Sequence, residues 1–185
     1  MSITRLVEYR KVRLNRGVLI QGLPGIGLVG KIAVDYIVSE LGLEKVAEVY
    51  SGHFLLPTGN AGLFITSDAF MRLPRYEMYL YEGERDILFL AGDVQPVSWG
   101  QYEVAERVLD YFTSIGGEEV IAVCGTTAGS EEGPQVYFVA DTEETKKRLE
   151  EIINEYKKAV ILSNFFLWLI KTKKALSVRQ LVKIL

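Results

Sequence analysis

The apolar positions of this chain fall into short runs set off by glycine-rich or charged turns, with stretches of helical spacing between them. Val18 to Gln21 reads as a buried strand. Leu28 to Leu41 follows with helical spacing through Ile32, Tyr36 and the pairs Val29/Ala33 and Val34/Val38, a face apolar almost all round, until Gly42 stops it. Val46 to Tyr50 is a second strand, so this unit has the length of a parallel strand-helix-strand crossover. Ala61 to Ser67 and Tyr76 to Tyr81 predict two more strands on either side of Pro74, and Asp86 to Ala91 a central one. A helix over Gly100 to Ser114 sets Val104, Val108, Leu109 and Phe112 against Glu103, Glu106, Arg107 and Asp110, and Gly116-Gly117 ends it. Val120 to Cys124 and Val136 to Ala140 complete the strands.

Short strands alternating with helices predict an α/β domain: a three-layer α/β/α arrangement with a mostly parallel or mixed central sheet and a long C-terminal helix. The core is expected over residues 1–140, and a helical segment over 141–185, packed on that core or at a subunit interface. Asp141 or Thr142 caps the long helix, Glu143 and Glu144 occupy its first turn, and the pattern runs on to Lys171. Its second half carries Phe165, Phe166, Trp168 and Ile170, more apolar surface than one edge of a small domain hides, so a covering subunit is expected. Ser177 to Leu185 reads as a short amphipathic helix.

Composition narrows the function classes. At 185 residues with 49% hydrophobic and 24% charged positions, the chain has the make-up of a globular domain. A formal charge of -3 gives no electrostatic reason to expect nucleic acid or an anionic membrane. The apolar run Ala159 to Ile170 is shorter than the roughly 20 residues a bilayer needs. With a single cysteine and no export signal at the N-terminus, a cytoplasmic protein is expected.

Candidate chemistry centres on Gln21 to Ile37, where Gly22, Gly25, Gly27 and Gly30 lead into Lys31. Gly25-x-Gly27-x-x-Gly30 matches a dinucleotide fingerprint, but Pro24 sits inside the turn. As a P-loop the pattern fails at Ile32, where a Ser or Thr would hold magnesium. Two readings remain: a structural turn whose glycines allow unusual φ and close packing, or an anion site using Lys31 and the helix start. His53 and Cys124 are each the only residue of their type, so no metal site is expected, and no cofactor. A Cys124, His53 and Asp93 hydrolase is conceivable only if the fold brings the three together. Acidic loops at Glu82 to Asp86 and Glu131 to Pro134 read as solvated charge. Tyr76, Tyr79 and Tyr81 read as strand alternation or a binding face, and Trp99 and Tyr102 as core or subunit contact, with contact favoured.

The run Gly-Leu-Pro-Gly-Ile-Gly-Leu-Val-Gly at 22–30, with Ala33, Tyr36 and Glu-Leu-Gly-Leu at 40–43, resembles the proteasome assembly chaperones (PAC2-like), including their archaeal members. The likeness continues through Ser51-Gly-His-Phe54, Gly92-Asp-Val-Gln-Pro96, Gly125-Thr-Thr127 and Val136 to Ala140, covering roughly 10–140. It implies a non-enzymatic, homo-oligomeric α/β protein that binds proteasome α-subunits without covalent chemistry. The family's docking tail ends hydrophobic-Tyr-any residue; here it ends Lys183-Ile184-Leu185, as in a divergent or shortened member. On this reading Phe165, Phe166, Trp168, Ile170, Ile184 and Leu185 bury area against the client, while Lys171 and Lys183 steer it. The alternative is a small-molecule or nucleotide-binding protein or enzyme using Gly22–Gly30.

Overall fold

Six segments pair into one sheet in the computed structural model, which describes residues 3–126 and 136–159, with side chains through residue 153. They are Thr4–Glu8 (β1), Gly17–Gly22 (β2), Glu44–Ser51 (β3), Tyr76–Tyr81 (β6), Ile87–Gly92 (β7) and Gly117–Val123 (β8), in the spatial order β1-β3-β6-β7-β2-β8. The strands β7, β2 and β8 run parallel, and β1, β3, β6 and β7 alternate antiparallel, so the sheet is mixed. Phe64–Ile65 (β4) and Met71–Arg72 (β5) form a separate antiparallel ribbon.

The helices Val29–Leu41 (α1) and Gln101–Ser114 (α2) take opposite faces. Side chains alternate along β2: Leu19 belongs to a core with Val104, Val108 and Phe112 of α2, whereas Gly22, one face over, lies against Val34 of α1. β7 is buried along its whole length, as a central strand covered on both sides must be. Gly42 closes α1 in the left-handed conformation at φ 57°, and its N–H bonds back to Ser39.

Two expectations are corrected. Residues 136–140 join neither sheet, because a β-prone run becomes a strand only where a paired edge receives it. The strand expected over 61–67 shrinks to the two-residue β4. The β2-α1-β3 unit does run between strands of the same direction, but it skips two places in the sheet, which β6 and β7 occupy. The pattern gave no sign of β1, whose buried position is the polar Thr4.

Residues 1–126 form one compact unit and 127–185 a second. Within the second, Glu143–Ala159 (α3) is a helix. Thr142 caps it: its hydroxyl accepts the Thr145 N–H at 3.1 Å, and Glu143 and Glu144 fill the first turn as expected. Phe165, Phe166, Trp168, Ile170, Lys171, Lys183, Ile184 and Leu185 lie outside the described residues.

Candidate functional site at the carboxyl end of the sheet

β2 and β7 are parallel neighbours whose outgoing connections diverge. The chain leaves β2 through α1 on one face towards β3, and leaves β7 through α2 on the other towards β8. Such a switch point opens a crevice between the two outgoing loops, where α/β sheets place their sites. Here the loops are stitched together. The Gln95 side-chain amide donates to the carbonyl of Pro24 at 2.8 Å, joining Gly92-Asp-Val-Gln-Pro96 to the glycine turn.

The glycines of that turn do different work. A Cβ at Gly22 would run into Gly30 and Val34, and one at Gly30 into the backbone of Val123, so both exist to let α1 seat on the ends of β2 and β8. Gly27 is needed for its φ of 64°, whereas Gly25 is extended and has open space around it. The Lys31 ammonium pairs with Asp35 one turn on, at 2.8 Å. What the turn presents outward is apolar: Ile26, Leu28, Val29 and Ile32 are exposed. Gly22 and Gly30 thus serve close packing and Gly27 the turn, while the outer surface of the loop from Gly22 to Lys31 is hydrophobic.

Beside it, between the flank of α1 and β6, lies a groove of about 230 Å³ lined by Lys31, Asp35, Arg75, Glu77, Tyr79 and Asp93 among others. Its sheet side is a hydrogen-bonded cluster built by register, since Glu48 of β3 stands directly opposite Glu77 of β6. Glu48 is 1% exposed. Its carboxylate accepts from Lys45 at 2.5 Å, from the hydroxyls of Tyr9 at 2.5 Å and Tyr50 at 2.6 Å, and pairs with Arg75 at 3.1 Å. Glu77 shares both cations, at 3.1 Å from Lys45 and 2.7 Å from Arg75, and accepts from Tyr79 at 3.0 Å.

Burial alone pushes the Glu48 carboxyl up, but the hydrogen bonds from Lys45, Tyr50 and Tyr9 with the charge of Arg75 outweigh it and hold the group at about 2. The same bond to Glu48, reinforced by burial, pushes the Tyr9 phenol up to about 12. Carboxylates held so firmly ionised cannot serve as proton donors near neutral pH. The cluster is a strut between strands.

Asp93 is likewise committed. Its carboxylate is gripped by both terminal nitrogens of Arg72 and accepts the backbone N–H of Arg75 at 3.1 Å. Arg72 also lies over the Phe64 ring, so this clasp fastens the β4–β5 ribbon to the loop after β7. His53 has a separate partner, with Nε2 3.2 Å from Glu103, and Cys124 is exposed. The structure therefore gives no hydrolase triad of the three. The Glu82 to Asp86 loop is structural, since Glu82 pairs with Arg10 and Asp86 caps the backbone of Gly83 and Asn15. Tyr76, Tyr79 and Tyr81 follow strand alternation, the first buried in the core and the other two half-buried on the opposite face. Trp99 and Tyr102 are exposed. Among the described residues no group of His, Cys, Asp and Glu is placed to hold a metal, and no helix is long and apolar enough to cross a membrane.

Sequence reasoning missed Arg72, Arg75, the role of Glu48 in a buried cluster, and the ribbon. Only the alternation of Tyr76 to Tyr81 hinted at a polar face opposite the core.

The comparisons with known proteins agree with one another. The model of the PAC2 family matches residues 19–175. An uncharacterised protein of Methanocaldococcus jannaschii, MJ1210, is 29% identical over 148 residues, which are 77% of this chain and 55% of that protein. The crystal structure of Pyrococcus furiosus PbaB, an archaeal proteasome activator, superposes with a TM-score of 0.64 at 32% identity, covering 72% of this chain and 55% of that one. That of Pyrococcus furiosus PbaA, an archaeal homologue of proteasome-assembly chaperone, gives 0.64 at 24% identity, covering 82% and 58%, a likeness of fold. This chain spans little more than half the length of each of these relatives.

Proposed function

This chain belongs to the PAC2 family, and on that basis we propose that it self-associates and binds proteasome α-subunits non-covalently, as an assembly-chaperone-like protein. One observation carries the reading. At the carboxyl end of the sheet, where a small-molecule enzyme would offer free polar groups, every described cation of the crevice is paired and the exposed side chains of the glycine turn are hydrophobic. A surface of that kind recognises another protein surface.

In this reading the segment beyond α3 takes part in holding the client. Phe165, Phe166, Trp168, Ile170, Ile184 and Leu185 supply buried area, and Lys171 and Lys183 complement carboxylates. The experiment is a pull-down of archaeal proteasome α-subunits with the whole chain and with the chain lacking residues 172–185. Retention by the first and loss by the second is expected. Equal retention by both would remove the tail from the mechanism, and no retention by either would remove the client.

A further inference from the structure

The β4–β5 ribbon has an inverted pattern. Its cross-strand pairs are Phe64 with Arg72 and Ile65 with Met71, so Phe64 and Arg72 share one face, and Leu63, Ile65, Met71 and Leu73 share the other by the two-residue period of a strand. The first face is anchored, Phe64 against the core and Arg72 on Asp93. The second is purely aliphatic, yet it points outward: Leu63 is 47% exposed, Ile65 76%, Met71 72% and Leu73 54%. Together these four side chains expose on the order of 500 Å² of apolar surface, at the upper end of what a monomer leaves uncovered.

The ribbon is also stiff at its tip. Thr66 and Phe70 close the turn twice, Thr66 N–H to the Phe70 carbonyl at 2.8 Å and Phe70 N–H to the Thr66 hydroxyl at 3.1 Å. A two-stranded ribbon is marginal in water by itself; this one is held in shape by Phe64 and Arg72, which leaves its aliphatic face presented and uncovered.

Charge indicates what covers it. Residues 54–67 contain no charged side chain, Asp68 sits at the turn, and Arg72 is turned inward onto Asp93. A charged client surface finds no counter-charge there. A second copy of the same face does not need one, because a neutral aliphatic quartet is complementary to itself across a two-fold axis. The acidic character of the chain, -3 overall, opposes association elsewhere but has little hold on this patch.

We infer that the Leu63, Ile65, Met71 and Leu73 face of the ribbon is the surface through which two copies of this chain meet, ribbon against ribbon. The inference rests on the self-association part of the proposed function and not on the client.

Sedimentation equilibrium of the whole chain tests it. Wild type is expected to associate, and Ile65→Lys and Met71→Glu are each expected to weaken association by roughly 100-fold, because each would bury an unpaired charge. Both positions are exposed, so the circular dichroism spectrum should not change. As a second readout, a short bismaleimide should join copies of the chain carrying Ile65→Cys with Cys124→Ser, and should fail to join Tyr102→Cys with Cys124→Ser. Wild type that associates while both charged variants keep its mass, with cross-linking at 102 instead of 65, would overturn the assignment and leave association standing. A wild type that stays monomeric would overturn both. Binding of α-subunits plays no part in either readout, so failure of the client role is seen separately.

Discussion

The two ends of the central sheet solve opposite problems. At the amino end of the parallel strands the connections are keyed by charge: Arg10 reaches Glu44 and Glu82 at 2.8 Å each, Asp86 holds the Asn15 N–H at 2.8 Å, and Arg85 pairs with Glu119 at 3.1 Å. At the carboxyl end polar groups are drawn inward, into Asp93–Arg72 and Gln95–Pro24, and Ile26, Leu28, Ile65, Met71 and Trp99 are left outside. One end is finished against water. The other ties its polar groups together and leaves apolar side chains bare, the kind of surface on which the proposed protein contact rests. The same chain shows both, so the apolar end is a local feature and not a general shortage of charge.

The sharpest way to break this contrast is at the glycine turn. Gly30→Ala would force a Cβ into the Val123 carbonyl, where backbone cannot give way, and should cost about 4 kcal/mol or more of stability. Urea unfolding would read the loss. Gly25→Ala, with open space around it, should change stability by less than about 1 kcal/mol.

Next comes the polar strut. Glu48→Gln leaves Lys45 and Arg75 short of a buried counter-ion and should cost about 3 kcal/mol. In wild type the same group predicts the acid behaviour. Its carboxyl is held at about 2 against an ordinary 4.5, so its stabilisation is complete above pH 4.5 and is lost as pH falls towards 2. Tyr9 has the opposite sign: held at about 12 against 10.0, its contribution is complete below pH 10 and is lost as pH rises through 12. Thermal melts across pH should show a low-pH slope that shrinks in Glu48→Gln.

A smaller effect is expected at the ribbon clasp. Asp93→Asn loosens Arg72, and since both partners are partly exposed the loss should be about 1–2 kcal/mol. Amide exchange should place the new mobility in residues 63–73, leaving the Glu48 strands protected. The smallest effect has the reverse direction. The Tyr76 hydroxyl is buried with no hydrogen-bond partner among the described residues, so Tyr76→Phe should be neutral or stabilising by up to about 1 kcal/mol in urea unfolding.

Much of this architecture is written in the periodicity of the chain. Val104, Val108 and Phe112 repeat at helical spacing, and the apolar runs 18–20 of β2 and 87–91 of β7 are what a doubly covered strand requires. β1 escaped because Thr4 is its buried residue, and residues 136–140 misled because Val and Tyr favour a pleat only when a partner strand supplies one. Of the site, the glycine turn was legible, including Ile32 where a phosphate loop would need a hydroxyl. The Glu48–Glu77 cluster was not, since it depends on the register of two strands separated by a long excursion. Nor was the ribbon, whose alternation becomes visible only once the turn at Thr66 to Phe70 is placed.

The most direct measurement is light scattering in line with size exclusion, on the whole chain alone and mixed with archaeal proteasome α-subunits. An oligomer is expected in the first run and a heavier species containing both proteins in the second. A chain that elutes as a monomer, or an oligomer whose mass is unchanged in the mixture, would contradict it.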